Sequence, residues 1–185
     1  MPSTNRHRVF VSFHHALDEA YKVQFERLFC QVEKAVYSHS VQDGEIDTGI
    51  STEAIRQTIR DKHLRNSSVT VVLVGQETWK RKHVDWEIAS SLRHTNLNRR
   101  SGLVGLLLPT RWDHYTPSSP TYNTIPARLV DNVRRGYASL HPWTTDVNQM
   151  VNIIHNAWYR RFTSVDPDQS RPMMSYNAPA SATNW

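Results

Sequence analysis

The chain has one cysteine in 185 residues, only six glycines, and no apolar run near the ~20 residues that a membrane-spanning helix needs. A lone Cys30 cannot form an internal disulfide, and it excludes a thiolate metal cluster. It also points to a reducing compartment. The opening stretch MPSTNRHRVFVSF carries no apolar signal-peptide core and enters a β-rich run almost at once, so the expected location is the cytoplasm, away from membranes. Catalytic signatures are missing too. There is no G-x-S-x-G elbow, no G-x-x-x-x-G-K-[ST] phosphate loop and no G-x-G-x-x-G dinucleotide fingerprint. What remains is a globular composition, 38% hydrophobic and 21% charged, long enough to bury a substantial core.

The net charge is +5. A basic balance is compatible with nucleic acid, an anionic surface or a nucleotide substrate. Here the cations fall in short scattered clusters, Lys80 to Lys82, Arg99-Arg100, Arg134-Arg135 and Arg160-Arg161, with no aromatic interleaving and no zinc-finger spacing. That pattern argues against a nucleic-acid partner.

Taken in order, RVFVSF (8–13) alternates as a first strand. A helix is expected from Leu17 to Ser38, with Tyr21, Phe25, Leu28, Val32 and Val36 on one face and Cys30 opposite it, exposed or at an interface. Residues 39–50 form a loop with three acids and two glycines. Ser51 is a good N-cap, with Ile50 and Ile55 as a staple, for a helix that buries Ile55, Ile59 and Leu64 and stops at Asn66. VTVVLV (69–74) is a continuous β-branched run ending in Gly75, as a strand covered on both faces should be. Val84, Ile88 and Leu92 then mark an amphipathic helix. GLVGLLL (102–108), ended by Pro109, is another buried strand. Residues 110–124 read as a long surface loop of the kind that often serves as a lid. A half-helix follows near residues 125–130, and a small edge strand over 137–140. A last helix is capped by Trp143 to Asp146, and its apolar face is Val147, Met150, Val151, Ile154, Trp158 and Phe162. The expected organisation is one domain over 1–162 with a disordered tail over 163–185. Alternating strands and helices imply an α/β layer sandwich with a mainly parallel sheet flanked by helices on both faces.

Glu87 is the candidate that stands out. It lies at the edge of the Val84–Ile88–Leu92 stripe, on one flank with His83, Ser91 and His94, just past the carboxyl end of a central strand. Open α/β sheets hold their ligands there. A glutamate inside a helix is more often a solvated or ion-paired surface group. The turn before it holds Lys80, Arg81 and Lys82 near a helix N-terminus, where backbone N–H groups favour phosphate and cations oppose the helix dipole. Ser12, Phe13 and His14, at the end of the first strand, supply polar and aromatic partners for a base and ribose at the same sheet edge. His83 and Glu87 have the i,i+4 spacing to hold an ion, but no third ligand is evident, so no metal is expected.

The ordered combination RVFVSFHH, SSVTVVLVG-x-x-T, V-x-W-E-I-A-S-S and LVGLLLP resembles the TIR-like family of bacterial antiphage defence, and is similar in particular to the Thoeris-system TIR proteins. The resemblance is strong over residues 6–108 and weaker over 125–160. It implies a flavodoxin-like TIR fold and cleavage of NAD, used as substrate with no cofactor, at the bond from nicotinamide to ribose. The product would be a cyclic or conjugated ADP-ribose messenger that activates a nucleotide-sensing effector, with a phage trigger or homo-oligomer as further partners. It also implies that Glu87 is the essential glutamate. Many relatives carry tryptophan four residues before it, where this chain has His83, with Trp79 and Trp86 nearby. Phe13 and Trp79 are then candidates to stack on a base, and His14 to contact ribose or phosphate. Two alternatives stay open: a non-enzymatic TIR interaction module, and a nucleoside N-glycosidase of the deoxyribosyltransferase type.

Overall fold

The computed structural model describes residues 6–32, 36–39, 54, 58–59, 61, 64, 66–95 and 99–185. Five strands form one wholly parallel sheet: β1 (His7–Ser12), β2 (Val36–His39), β3 (Val69–Val74), β4 (Gly102–Leu107) and β5 (Ala138–Pro142). Their spatial order is β2-β1-β3-β4-β5. This is the doubly wound, flavodoxin-like order, and its topological switch point lies between β1 and β3. Among the described residues the continuous helices are α1 (His15–Phe25), which continues as a π-helical turn over Glu26–Val32, α2 (Lys82–Ser91), α3 (Ala127–Arg134) and α4 (Val147–Arg160). Short 3₁₀ turns at Thr78–Lys80 and Tyr122–Thr124 lead into α2 and α3.

Strand residues alternate between the two faces of a sheet, and both faces here are covered. Val9, Val11, Val69, Val71, Leu73, Val104 and Leu106 pack with Phe25 and Phe29 after α1 begins, and with Met150, Ile154 and Ala157 of α4. Val72, Val74, Leu103, Leu107 and Leu140 face Val84, Ile88 and Leu92 of α2 and Leu129 and Val130 of α3. Every residue of β3 and β4 is buried, which explains why those strands are continuous apolar runs. At the start of β4, a side chain on Gly102 would meet the Ala157 carbonyl oxygen at 2.0 Å, so only glycine lets α4 pack this closely.

The structure revises the sequence reading at several points. The helix expected to run to Ser38 gives way to β2, where Val36 and Tyr37 pair with His7 and Arg8 of β1. The helical spacing through Val36 was fortuitous, and strand pairing at the sheet edge overrode it. The π-helical turn shifts the phase of the stripe, so Cys30 is half-buried against the core instead of standing opposite it. Ile59 and Leu64 are buried with Phe10 and Trp86, and Asn66 takes the left-handed conformation (φ 66°) suited to a helix stop. Ser51, Ile50 and Ile55 lie outside the described residues. Asp146 caps α4 as expected, accepting from the Gln149 N–H at 2.8 Å, but Phe162 at its end is exposed.

The largest departure is the terminal segment. Residues 163–185 carry neither helix nor strand, as their composition implies, yet they are not a free tail. The Trp86 indole donates to the Met174 carbonyl oxygen at 2.8 Å, and the Ala178 N–H to that of Lys80 at 2.8 Å. Trp185 donates from Nε1 to the Ile125 carbonyl oxygen at 2.6 Å. At the centre of this contact is a buried ion pair. Arg128 Nε meets Asp85 Oδ1 at 2.8 Å, and the remaining guanidinium donors reach the carbonyl oxygens of Arg171 (2.9 Å) and Pro172 (3.1 Å). The second oxygen of Asp85 accepts the Met174 N–H at 2.9 Å. The segment therefore answers polar groups of α2 and α3 that would otherwise be buried unpaired. As a consequence α2 is buried all round, from Val84 to Ser91.

Removing one partner of a buried pair leaves the other charge uncompensated. Arg128→Met is therefore expected to lower unfolding free energy by about 3–5 kcal/mol in denaturant titration, and to raise protease sensitivity after residue 163. A second expectation concerns His7, whose ring lies 3.2 Å from His155 Nδ1 and packs on Trp158. Burial, then the nearby His155 and Arg161 charges, lowers its pKa from 6.5 to about 4. The unfolded chain takes up this proton first, so stability present above pH 6.5 is lost progressively as pH falls toward about 4. His7→Phe should flatten that part of a melting-temperature profile.

Candidate functional site

β1 and β3 end side by side, with Ser12 in register with Val72. By the alternation of β1, Phe10 and Ser12 face α2, while Phe13 turns into the core under α1 and α4. α2 crosses this edge with Glu87 pointing at the strand end. Ser12 Oγ donates to Glu87 Oε2 at 2.5 Å, and both residues are buried, Glu87 at 2% exposure. A hydroxyl-to-carboxylate bond this short is the strong, charge-assisted kind. Glu87 is thus a buried carboxyl group and not a solvated helix glutamate.

His83 lies one turn before Glu87 on the same flank. Its Nε2 is 3.1 Å from the Phe13 carbonyl oxygen, and a carbonyl can only accept, so Nε2 carries the proton in this contact. The His15 ring lies between the Phe13 ring (4.2 Å) and the His83 ring (5.3 Å). His14 is buried at the same strand end. Five of the six expected site residues, Ser12, Phe13, His14, His83 and Glu87, therefore gather at the carboxyl end of β1, and His15 joins them. The Phe13 ring is packed in the core, so that residue presents its carbonyl oxygen to His83.

A second buried carboxyl group, one that sequence reading missed, lies at the end of β3 on the other face of the sheet. Asp18, in the first turn of α1, is 2% exposed and accepts from Thr78 Oγ1 at 2.9 Å. Thr78 Oγ1 in turn accepts the Gly75 N–H at 2.8 Å. A Cβ on Gly75 would sit 2.2 Å from an Asp18 carboxyl oxygen, so the glycine ending β3 is what admits the acid. Burial pushes the Asp18 pKa up, against the Thr78 hydrogen bond, which pulls it down. In sequence Asp18 looked like an ordinary acid near a helix N-terminus, and the S-V-T-V-V-L-V-G-x-x-T spacing that places Gly75 and Thr78 was the only hint.

Trp79 and the basic turn stand elsewhere. Trp79 is buried and lines a cavity of about 310 Å³ between α2, α3 and the terminal segment, whose walls include neither Ser12 nor Glu87. Lys80 pairs with Glu77 at 2.7 Å and donates to the Ala180 carbonyl oxygen at 3.0 Å. The Lys82 N–H at the start of α2 donates to Asn177 Oδ1 at 2.9 Å. The helix N-terminus expected to favour phosphate is thus capped by the terminal segment. The 110–124 loop is braced by Arg111 and Asp113, joined by two hydrogen bonds of 2.9 and 2.8 Å, while Trp112 and Tyr115 stand in solvent. Among the described residues no group of three or more His, Cys, Asp and Glu is placed to hold a metal ion. No helix among them is long and apolar enough to cross a membrane.

Parallel strands in this order, with a buried glutamate on the helix after β3 facing the end of β1, define a flavodoxin-like α/β domain of the TIR type. The family model for the TIR-like domain of the Thoeris protein ThsB matches residues 10–113, more than half of the chain, and the chain belongs to that family. The matched span runs from β1 through α2 and β4 to Asp113, and so includes every residue of the site. No curated protein matches the chain. Among solved structures, the TIR domains in "Structure of the activated Roq1 resistosome directly recognizing the pathogen effector XopQ" align at 15% identity and a TM-score of 0.37, covering 84% of this chain and 82% of that one.

Because the folded Asp18 has a pKa above its ordinary value of 3.8, its contribution to stability is full below that value and is lost as pH rises through the raised one. Asn at this position stays neutral and can still accept from Thr78. Asp18→Asn is expected to melt above the wild type by a margin that widens from about pH 4 upward and then levels off. Parallel melting profiles would show that Asp18 titrates normally.

Proposed function

We propose that this chain cleaves NAD between nicotinamide and ribose and forms a cyclic or conjugated ADP-ribose, which activates a nucleotide-sensing effector of an antiphage system. The observation that carries this reading is the buried hydrogen bond from Ser12 to Glu87 at the switch point of the sheet. A carboxylate desolvated there, held by a serine hydroxyl and flanked by protonated His83 Nε2, is suited to a substrate that develops positive charge.

The chemistry asks little else of the protein. Departure of nicotinamide neutralises its pyridinium, so no general acid is required. The ribose left behind has oxocarbenium character, as in glycoside hydrolysis. Glu87 would accept hydrogen bonds from the ribose hydroxyls and stabilise the developing cation, with Ser12 fixing the orientation of its carboxylate. His14 and His83 line the approach for ribose or phosphate. A dry site favours capture of the cation by an internal adenine nitrogen or another acceptor over water. Asp18, hydrogen-bonded to Thr78 beneath Gly75, would shape the far wall. Trp79 lies on a different cavity, so base stacking has to come from elsewhere in this site.

Purified protein incubated with NAD should release nicotinamide, followed by chromatography. Glu87→Gln is expected to reduce the rate by about 100-fold or more, the scale for losing a buried electrostatic stabiliser. Ser12→Ala, which removes one hydrogen bond to a charged group, should cost about tenfold. Full turnover by Glu87→Gln would remove this residue from the mechanism. A second reading, a non-enzymatic interaction module, is favoured by the solvent-exposed Trp112 and Tyr115 on their braced loop. It requires concentration-dependent assembly without NAD turnover.

A further inference from the structure

The cavity beneath the terminal segment is built from rigid aromatic and thioether walls with a single uncompensated charge. Trp79 and Met173 and Met174 line it, and Trp185 closes one side. Trp185 is pinned by two hydrogen bonds, from Nε1 to the Ile125 carbonyl oxygen (2.6 Å) and from its backbone N–H to that of Asn123 (3.1 Å). At about 310 Å³ the space lies at the lower end of the range for small-molecule sites. Three charged side chains reach it: Arg81, Asp85 and Arg171. Asp85 is neutralised by Arg128 at 2.8 Å, and Arg171 by Asp131 at 2.6 Å. Arg81 has no ion-pair partner among the described residues, and its buried Nε has no hydrogen-bond partner. A guanidinium donor left unanswered beside an apolar cavity is where an anion fits, because a charged acceptor would supply the missing bond.

We propose that this cavity binds a planar aromatic acid, a flat ring carrying a carboxylate or a phosphate, with the ring between Trp79 and Trp185 and the anionic group on Arg81. Two methionines give such a ring polarizable contact. The Arg171 guanidinium, 5.3 Å from the Trp185 ring, already covers one face of that indole and stiffens it for the other. The site is distinct from the Ser12–Glu87 contact, since neither residue lines it. Asp85 and Glu87 are two residues apart on α2, about 200° of helical rotation, so the cavity and the Ser12–Glu87 contact occupy opposite flanks of one helix. Because Arg81 immediately precedes α2 and Met173, Met174 and Trp185 belong to the terminal segment, an occupant would clamp that segment onto the helix.

The test is calorimetric titration of the 185-residue chain with 2-naphthoate, 2-naphthyl phosphate and the neutral 2-naphthylmethanol, and it does not depend on NAD turnover. Both acids should bind at least about tenfold tighter than the alcohol, and the tighter of the two identifies the anionic group. Arg81→Gln should weaken the acids by about tenfold and leave the alcohol unchanged, whereas Trp185→Ala should weaken all three. Arg81 makes no side-chain hydrogen bond through Nε, so the Gln variant is expected to melt with the wild type and isolates the charge. No binding by either acid, equal affinity for acid and alcohol, or an Arg81→Gln variant that binds the acids as tightly as wild type would overturn the proposal.

Discussion

Two carboxylates on one short helix have to be kept out of water, and most of what is unusual about this molecule answers that constraint. Glu87 and Asp85 sit on opposite flanks of α2, at 2% and 5% exposure. Desolvating a carboxylate without partners costs several kcal/mol, more than any single packing contact in the domain returns. The two are answered differently. Asp85 meets a full guanidinium from Arg128 and a backbone N–H from Met174, so its charge is cancelled and its acceptor sites are used. Glu87 accepts from the hydroxyl of Ser12, on the strand that ends beneath the helix. One arrangement closes a structural contact. The other holds a carboxyl group against the end of β1.

The sheet decides which flank does which. Parallel strands in the order β2-β1-β3-β4-β5 bring the carboxyl ends of β1 and β3 together beneath one flank of α2, and the β1 alternation points Ser12, not Phe13, at the helix. α1 crosses the other face of the same edge, and Gly75 lets Asp18 approach the end of β3. Buried acids at the ends of β1 and β3, one on each face of the sheet, are therefore a consequence of topology, strand parity and a single glycine. The opposite flank of α2 faces α3 and the terminal segment, which supplies backbone carbonyls, an Asn177 cap and an indole instead of a helix. A segment without regular structure can be ordered when its backbone groups complete polar sites that the folded body leaves open.

The loop over 110–124 shows the same economy on a smaller scale. Burial works against the charged form of Asp113, but the Arg111 guanidinium and the Thr121 N–H outweigh it and hold its carboxyl below the ordinary range. That pair fixes the base of the loop, while Trp112 and Tyr115 are left in solvent. A loop anchored at its root and aromatic at its tip suits a recognition surface better than a collapsed core element.

Some of this was written in the amino-acid order. Continuous apolar runs over Val69–Val74 and Gly102–Leu107 identify strands buried on both faces, and the helical spacing of Val84, Ile88 and Leu92 places Glu87 on the flank of a packed helix just past a strand end. Those signals are local, so periodicity and composition are enough to read them. The partner of Glu87 is 75 residues away at Ser12, the burial of Asp18 depends on the missing side chain of Gly75, and Trp79 and Arg81 are claimed by a stretch about 100 residues later in the chain. Composition alone also misjudged residues 163–185, because prolines and small polar residues fail to build a core of their own but can still satisfy someone else's. Sequence by itself determined the buried strands β3 and β4, the packed face of α2 and the acid to watch. Only tertiary structure decided which polar groups answer which, since hydrogen bonds across long separations follow from where the sheet sets its edges and not from any spacing along the chain.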